Sequence, residues 1–221
     1  MSIMVFSAAR ADAAISLQVF DNAAVVNTVT VADGGIGDLN GLADKITFAG
    51  LVGSWDNIHV GTGPSILGSA TLDLSYNASY FGNTAGPGST LTILLSEDGI
   101  MGADANWQLQ VGGTLRPGMT FTTSAFAGSG LFDMTTPLGS IGPFASSPYA
   151  GSSLTGPVIL SGPFSITIRV DITAPASSLV NQSQATGDVL LEPMPEPASI
   201  GAWAVFALVG GGLFQRSRKR T

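Results

Sequence analysis

The sequence predicts an all-β chain: an antiparallel β-sandwich, jelly-roll-like, with a single C-terminal transmembrane helix. Three observations predict it. Apolar and polar residues alternate with period two through much of residues 14–191, Gly–Pro and Pro–Gly pairs punctuate that pattern, and no stretch before residue 200 keeps a helical period. Period two places successive side chains on opposite faces of a strand, so a half-buried sheet accounts for the pattern and an amphipathic helix does not. The chain has 221 residues, room for one domain with a substantial core.

Residues 1–13 come first. Met1-Ser-Ile-Met-Val-Phe-Ser-Ala-Ala9 is a short apolar run, and Ala11-Asp-Ala13 fits a small-x-small cleavage site. The basic residues that normally precede such a run are missing, so this segment reads as the remnant of a truncated secretory signal.

Alternating strands follow at Ile15-Ser-Leu-Gln-Val19, Ala70-Thr-Leu-Asp-Leu-Ser-Tyr76, Trp107-Gln-Leu-Gln-Val111 and Phe164-Ser-Ile-Thr-Ile-Arg-Val-Asp-Ile172. Further strands are expected at residues 25–31, 46–52, 90–95, 119–126 and 158–160, which are rich in β-branched residues. Turns are expected at Gly63, Gly86, Pro117, Gly142, Gly156 and Gly162, and at Ser96-Glu-Asp-Gly99. Residues 127–156, rich in Gly, Ser and Pro, read as a long surface loop. Nine or ten short strands result, a number that suits a sandwich occupying residues 14–191.

A proline-rich linker, residues 192–199, contains Pro193-Met-Pro195-Glu196-Pro197. Proline at every second position removes the N–H groups that a helix or sheet ladder needs, so this piece should be extended and accessible. Residues 200–214 carry no charge and include Gly210-Gly-Gly212. As a helix they would span about 22 Å at 1.5 Å per residue, short against a hydrocarbon core of about 30 Å unless flanking residues are drawn in. Three glycines would cost a soluble helix roughly 1 kcal/mol each, whereas membrane helices carry glycine freely. The transmembrane helix is therefore placed at residues 200–215. Arg216, Arg218, Lys219 and Arg220 in residues 216–221 form a basic stop whose expected side is the cytoplasm.

Pro195-Glu196-Pro197, a following hydrophobic segment and a terminal Arg-rich cluster, in that order and spacing, resemble the C-terminal signal of PEP-CTERM sorting-domain proteins. The resemblance covers about the last 30 residues. It implies export from a Gram-negative cell, recognition by an exosortase, cleavage near the motif, and release or transfer to the cell surface. It also implies an association with exopolysaccharide and biofilm production. The body is more loosely similar to the β-rich ectodomains of that family, a likeness that implies no activity.

Charge separates the body from the tail. Between residues 14 and 192 stand thirteen acids against three bases, Lys45, Arg116 and Arg169, a local net charge of −10, while the whole chain carries −7. With no basic patch on the body, nucleic-acid binding is excluded. With no cysteine, disulfides, thiolate metal sites and cysteine nucleophiles are excluded.

Few residues in the body point to chemistry. Asp33, Asp38, Asn40 and Asp44 lie on one Gly-rich stretch, and four oxygen-bearing side chains there are candidate ligands for Ca²⁺, which takes six to eight oxygens. Asp, Asn and Gly are equally the ordinary formers of a solvated turn, and the spacing lacks the closing Glu of an EF-hand. His59 is the sole histidine and has no Gly-x-Ser-x-Gly elbow near it. Glu97 and Asp98 are the one adjacent acid pair in the body, in a predicted turn rather than a cleft. Trp55, Trp107, Tyr76, Tyr80 and Phe81 are candidates for a sugar-stacking face, with Trp107 better suited to the core.

The sequence thus predicts an exported, non-catalytic surface or matrix protein. A calcium-dependent carbohydrate-binding module on the same anchor is the alternative. Its expected partners are an exosortase, a membrane and extracellular polysaccharide.

Overall fold

A computed structural model describes residues 14–23, 28–62, 71–81, 88–175 and 183–194. Every regular element among them is a β-strand: β1 (Ile15–Asp21), β2 (Val29–Ala32), β3 (Thr47–Val52), β4 (Trp55–Thr62), β5 (Leu72–Tyr80), β6 (Ser89–Leu115), β7 (Thr120–Gly128), β8 (Thr136–Phe144), β9 (Tyr149–Leu154), β10 (Val158–Ala174) and β11 (Ser183–Met194). All strand pairs are antiparallel. The first sheet runs β2-β1-β6-β10-β7-β8 and the second β3-β4-β5-β11-β6-β9.

Strand β6 belongs to both. Its first part pairs with β1, from Leu91 to Glu97, and with β10. Its last part, from Asn106 to Leu115, pairs with β11 and β9. Between them the β6–β10 ladder is irregular, with register shifts at Leu160/Pro163 and Phe164/Ile166. Gly99 and Gly162 there adopt φ of 73° and 78°. Positive φ costs glycine nothing, so these two residues let the paired strands turn the corner from one layer to the other.

The layers meet over an apolar interior. Strand β7 alternates buried and half-buried residues along its whole length, and β5 alternates through Leu72, Leu74, Tyr76, Ala78 and Tyr80. Rings from opposite sheets interleave. Phe121 stacks on Tyr76 at 5.7 Å and on Tyr149 at 4.8 Å, and Trp107 meets Phe164 edge-on at 6.4 Å. Tyr76 and Tyr149 share a hydrogen bond between their hydroxyls, beneath the facing pair Gly113 and Gly187. A Cβ at either glycine would strike the Tyr149 hydroxyl, so the two tyrosines require the two glycines. Burial pushes both phenols up, Tyr149 to about 12.

A buried polar clasp joins the layers at the far end. Asp21 on β1 is fully buried and accepts the Ser54 and Ala23 backbone N–H groups, each at 2.9 Å, and the Ser89 hydroxyl. Trp55 donates its indole N–H to that same Ser89 oxygen at 3.1 Å. A buried carboxylate with this many donors is compensated, and loss of the carboxylate would strand them.

The structure corrects several local expectations. Ser96-Glu-Asp-Gly99 is no turn: β6 runs through it and buries Glu97, because Gly99 absorbs the bend. Residues 127–156 are no long loop: they contain β8, β9 and the end of β7. Gly142 and Gly162 sit inside strands rather than between them. Strand β11 was not anticipated and runs to Met194, so Glu192, Pro193 and Met194 pair with β6 instead of starting the linker. Residues 1–13, Pro195, Glu196 and Pro197, the segment 200–215 and the basic stop lie outside the described residues. No helix among the described residues is long and apolar enough to cross a membrane.

Candidate functional site

The outer face of the second sheet is a polar lattice built from the phase of each strand. Because Leu72, Leu74, Tyr76 and Ala78 point inward, Asp73, Ser75 and Asn77 point outward on β5. On β11 Ala185, Val189 and Leu191 are buried, which turns Gln184, Thr186, Asp188 and Leu190 outward. Register then fixes the neighbours: Thr186 lies opposite Asn77 and Thr114, Asp188 opposite Ser75 and Gly112, and Leu190 opposite Asp73 and Gln110. His59 on β4 is exposed opposite Asn77.

Hydrogen bonds knit the lattice across the strands. Gln184 donates to Asn77 at 3.1 Å, Gln110 donates to Glu192 at 2.9 Å, and the hydroxyls of Thr114 and Thr186 lie 2.8 Å apart. Beside them a shallow groove of about 520 Å³ is lined by Gln110, Gly112, Gly151, Ser152, Asp188 and Leu190, among others. Its floor is low because of glycine: a Cβ built on Gly112 meets nothing nearer than 3.9 Å. Partial burial, helped by the negative charge of Asp188, raises the Asp73 carboxyl above its ordinary value. The surface offers carboxylate acceptors, amides that both donate and accept, and hydroxyls in fixed positions. Such a set suits a neutral, hydroxyl-rich ligand.

The predicted calcium ligands sit elsewhere, on the β2–β3 connection, where the side chains of Asp33, Asp38 and Asn40 turn toward backbone. Asp38 accepts the N–H groups of Asn40 at 2.8 Å and Thr47 at 3.0 Å through Oδ1, and of Gly34 at 3.0 Å through Oδ2. Desolvation raises the Asp38 carboxyl, but the Thr47, Asn40 and Gly34 amides outweigh it and hold the group below the usual range. Asp33 accepts the Asp44 N–H at 2.9 Å, and the Asn40 side-chain oxygen Oδ1 accepts the Leu42 N–H at 3.1 Å. Asp44 sits at φ 62°. Nothing in this arrangement converges on one point, and no group of three or more acids or histidines among the described residues could hold a metal ion. The donor set does not fit Ca²⁺; it fits a folded turn.

The aromatic candidates fare similarly. Trp55 and Trp107 are fully buried, Tyr76 and Tyr80 nearly so, and only Phe81 is half-exposed, so no sugar-stacking platform forms from them. Of the adjacent acids, Glu97 is buried in β6, and Asp98 accepts the Ala14 N–H at 3.0 Å to hold the start of β1. Sequence reasoning missed Asp73, Asn77, Gln110, Gln184 and Asp188 as a set. The polar phase of the alternation at residues 70–76 and 107–111 carried part of that signal.

No family model matches the chain, and no curated protein does. Several solved structures are similar to parts of it. A carbohydrate-binding module, TmCBM61 in complex with β-1,4-galactotriose, is 9% identical, with 57% of this chain and 83% of that one covered and a TM-score of 0.32. The CBM36-1 domain of a xylanase from the hindgut metagenome of Trinervitermes trinervoides is 13% identical over 61% of this chain and 90% of that one, at 0.27. The enzymatically active domain of tailspike protein 4 from bacteriophage CBA120 is 14% identical over 69% of this chain and 20% of that one, at 0.34. At these TM-scores no ligand or activity passes from them to this chain.

Proposed function

We propose that the chain is an exported, non-catalytic protein of the cell surface or extracellular matrix, sorted by its C-terminal signal and presenting the outer face of its second sheet to polysaccharide. The sorting half rests on the ordered series of Pro195-Glu196-Pro197, an uncharged apolar segment and the cluster Arg216, Arg218, Lys219 and Arg220. In this reading an exosortase cuts near the proline motif after the apolar segment has halted in the membrane. The likeness to PEP-CTERM proteins supports that order of events and the link to exopolysaccharide.

The contact half rests on one observation: the lattice of Asp73, Asn77, Gln110, Gln184 and Asp188 beside an open groove. An extended glycan lying along the groove would donate hydroxyls to Asp188 and Asp73 and exchange hydrogen bonds with Gln110. Such contacts are made at modest desolvation cost on a surface already wet. The binding needs no calcium, since Asp33, Asp38 and Asn40 are engaged with backbone amides. A non-catalytic role accords with an exposed His59 on a flat sheet and a Glu97 enclosed in a strand.

A glycan array probed with the full chain in detergent tests the contact half. Binding to neutral polysaccharides should persist in EDTA and fall about tenfold in the Asp188→Ala/Gln110→Ala variant. Equal binding by that variant, or loss of binding in EDTA, contradicts the reading.

A further inference from the structure

The two ends of the sandwich differ in what they expose. One end collects Ala14 beside Asp98, the β2–β3 connection whose Asp33 N–H donates to the Ile15 carbonyl, the β6–β10 corner, the β9–β10 connection, and Met194 opposite Asn106. The other collects the Gly53–Ser54 turn, the Arg116–Met119 turn and residues 145–148. Among the described residues eight large apolar side chains are exposed, and seven of them lie at the first end. Ile36 is 100% exposed at the tip of the β2–β3 connection, flanked by Leu39 and Leu42; Met101, Leu154 and Ile159 ring the corner. Only Leu51 lies toward the other end. Exposed apolar side chains scattered singly need no explanation, but this segregation does.

The same end is where the chain leaves the sandwich. Strand β11 stops at Met194, and the uncharged apolar segment begins at residue 200. Six residue steps reach at most about 22 Å at 3.3–3.6 Å each, so a segment halted in a bilayer keeps this end, and not the other, close to the lipid. Four carboxylates at this end are turned inward onto their own loops: Asp38 onto three amides, Asp33 onto Asp44 N–H, Asp98 onto Ala14 N–H, and Asp133 onto Ser129 and Thr135. Ile36 and Ile159 are left outermost. With six aspartates (Asp33, Asp38, Asp44, Asp98, Asp104 and Asp133) and one lysine, Lys45, in this part of the chain, the surface suits a zwitterionic leaflet rather than an anionic one.

We infer that, in the unprocessed chain, this end of the sandwich rests on the outer surface of the bilayer, with Ile36, Leu39, Leu42, Met101, Leu154 and Ile159 reaching into the headgroup boundary. The inference rests on the membrane hold described under the proposed function. Apolar side chains at such a boundary enter about 5–10 Å. Docking in this way leaves the outer face of the second sheet free at the side.

The chain has no cysteine, so single cysteines can carry a fluorophore without background. The full chain in phosphatidylcholine vesicles is labelled at Ile36→Cys, Ile159→Cys, Leu51→Cys and Phe206→Cys, and lipid-borne quenchers are titrated. The expected result is strong quenching at 206, and quenching at 36 and 159 at least about threefold above that at 51, as boundary depth requires. Quenching at 206 but not at 36 and 159 overturns the docking and leaves the membrane hold standing. No quenching at 206 overturns the membrane hold and the docking with it. Excimers between pyrene labels at 36 without lipid quenching would assign this end to a second copy and likewise overturn the docking.

Discussion

The second sheet turns the same strands toward two surroundings, and its two faces share almost no chemistry. Inward it presents Trp55, Tyr76, Tyr80, Trp107 and Tyr149, all buried. Outward it presents Asp73, Asn77, Gln110, Gln184 and Asp188, with side-chain hydrogen bonds from Gln184 to Asn77 and from Gln110 to Glu192. Residue type alone would put aromatic rings on a sugar-binding face. Strand phase decides instead, because moving a strand by one residue exchanges its faces, and here that would bury the carboxylates. The aromatics hold the layers together, and the groups left to meet a partner are amides and carboxylates.

Adjacent glycines give the sharpest way to break this contrast, since Gly112 faces outward and Gly113 inward. Gly113→Ala should destabilise the protein by about 2–3 kcal/mol or more through overpacking against Tyr149 and the Thr186 carbonyl, lowering the thermal midpoint by roughly 4–12 °C for a chain of this size. Gly112→Ala should stay within about 1 kcal/mol, because its Cβ makes only an ordinary contact, 3.9 Å from the Tyr149 carbonyl oxygen. Equal losses in thermal melts of the two variants would mean that the faces are wrongly assigned.

A smaller effect tests the outer face by pH. Burial, helped by Asp188, raises the Asp73 carboxyl in the folded state. A raised folded value means that ionised Asp73 costs stability; the cost is absent well below the unfolded value of about 3.9 and complete once the pH exceeds the folded one. Asp188→Asn should therefore raise the midpoint at pH 7 by roughly 1–3 °C, in line with the few tenths to 1 kcal/mol of a like-charge pair. At pH 3 it should change nothing. A gain of equal size at both values would remove charge repulsion as the cause.

The legible and hidden strands differ in position. Strands β1 and β5 pair on both sides, and their alternation is clean enough to read directly. Strand β8 is an edge: it pairs only with β7, so Pro137 and Pro143 cost it few ladder bonds, and its Thr-Pro-Leu-Gly-Ser-Ile-Gly-Pro-Phe composition reads as loop. Strand β9 is an edge of the second sheet and is equally rich in small residues. Strand β11 was hidden by Gly187, which weakens any strand pattern but is required where the tyrosine hydroxyls approach. The calcium reading rests on composition, which lists oxygens and not the amides to which Asp38 is committed. The outer lattice was half legible, in the polar phase at Asp73 and Gln110; its other half depended on placing β11 beside β5 and β6.

Export and tail processing are the premise on which both surfaces acquire partners, and intact mass spectrometry of the native protein from cells and from culture medium tests that premise most directly. The account predicts that material in the medium ends within residues 193–199 and has lost residues 200–221, while any full-length form stays with the membrane fraction. A protein found in the cytosol with residues 200–221 intact, and none outside the cell, would contradict it.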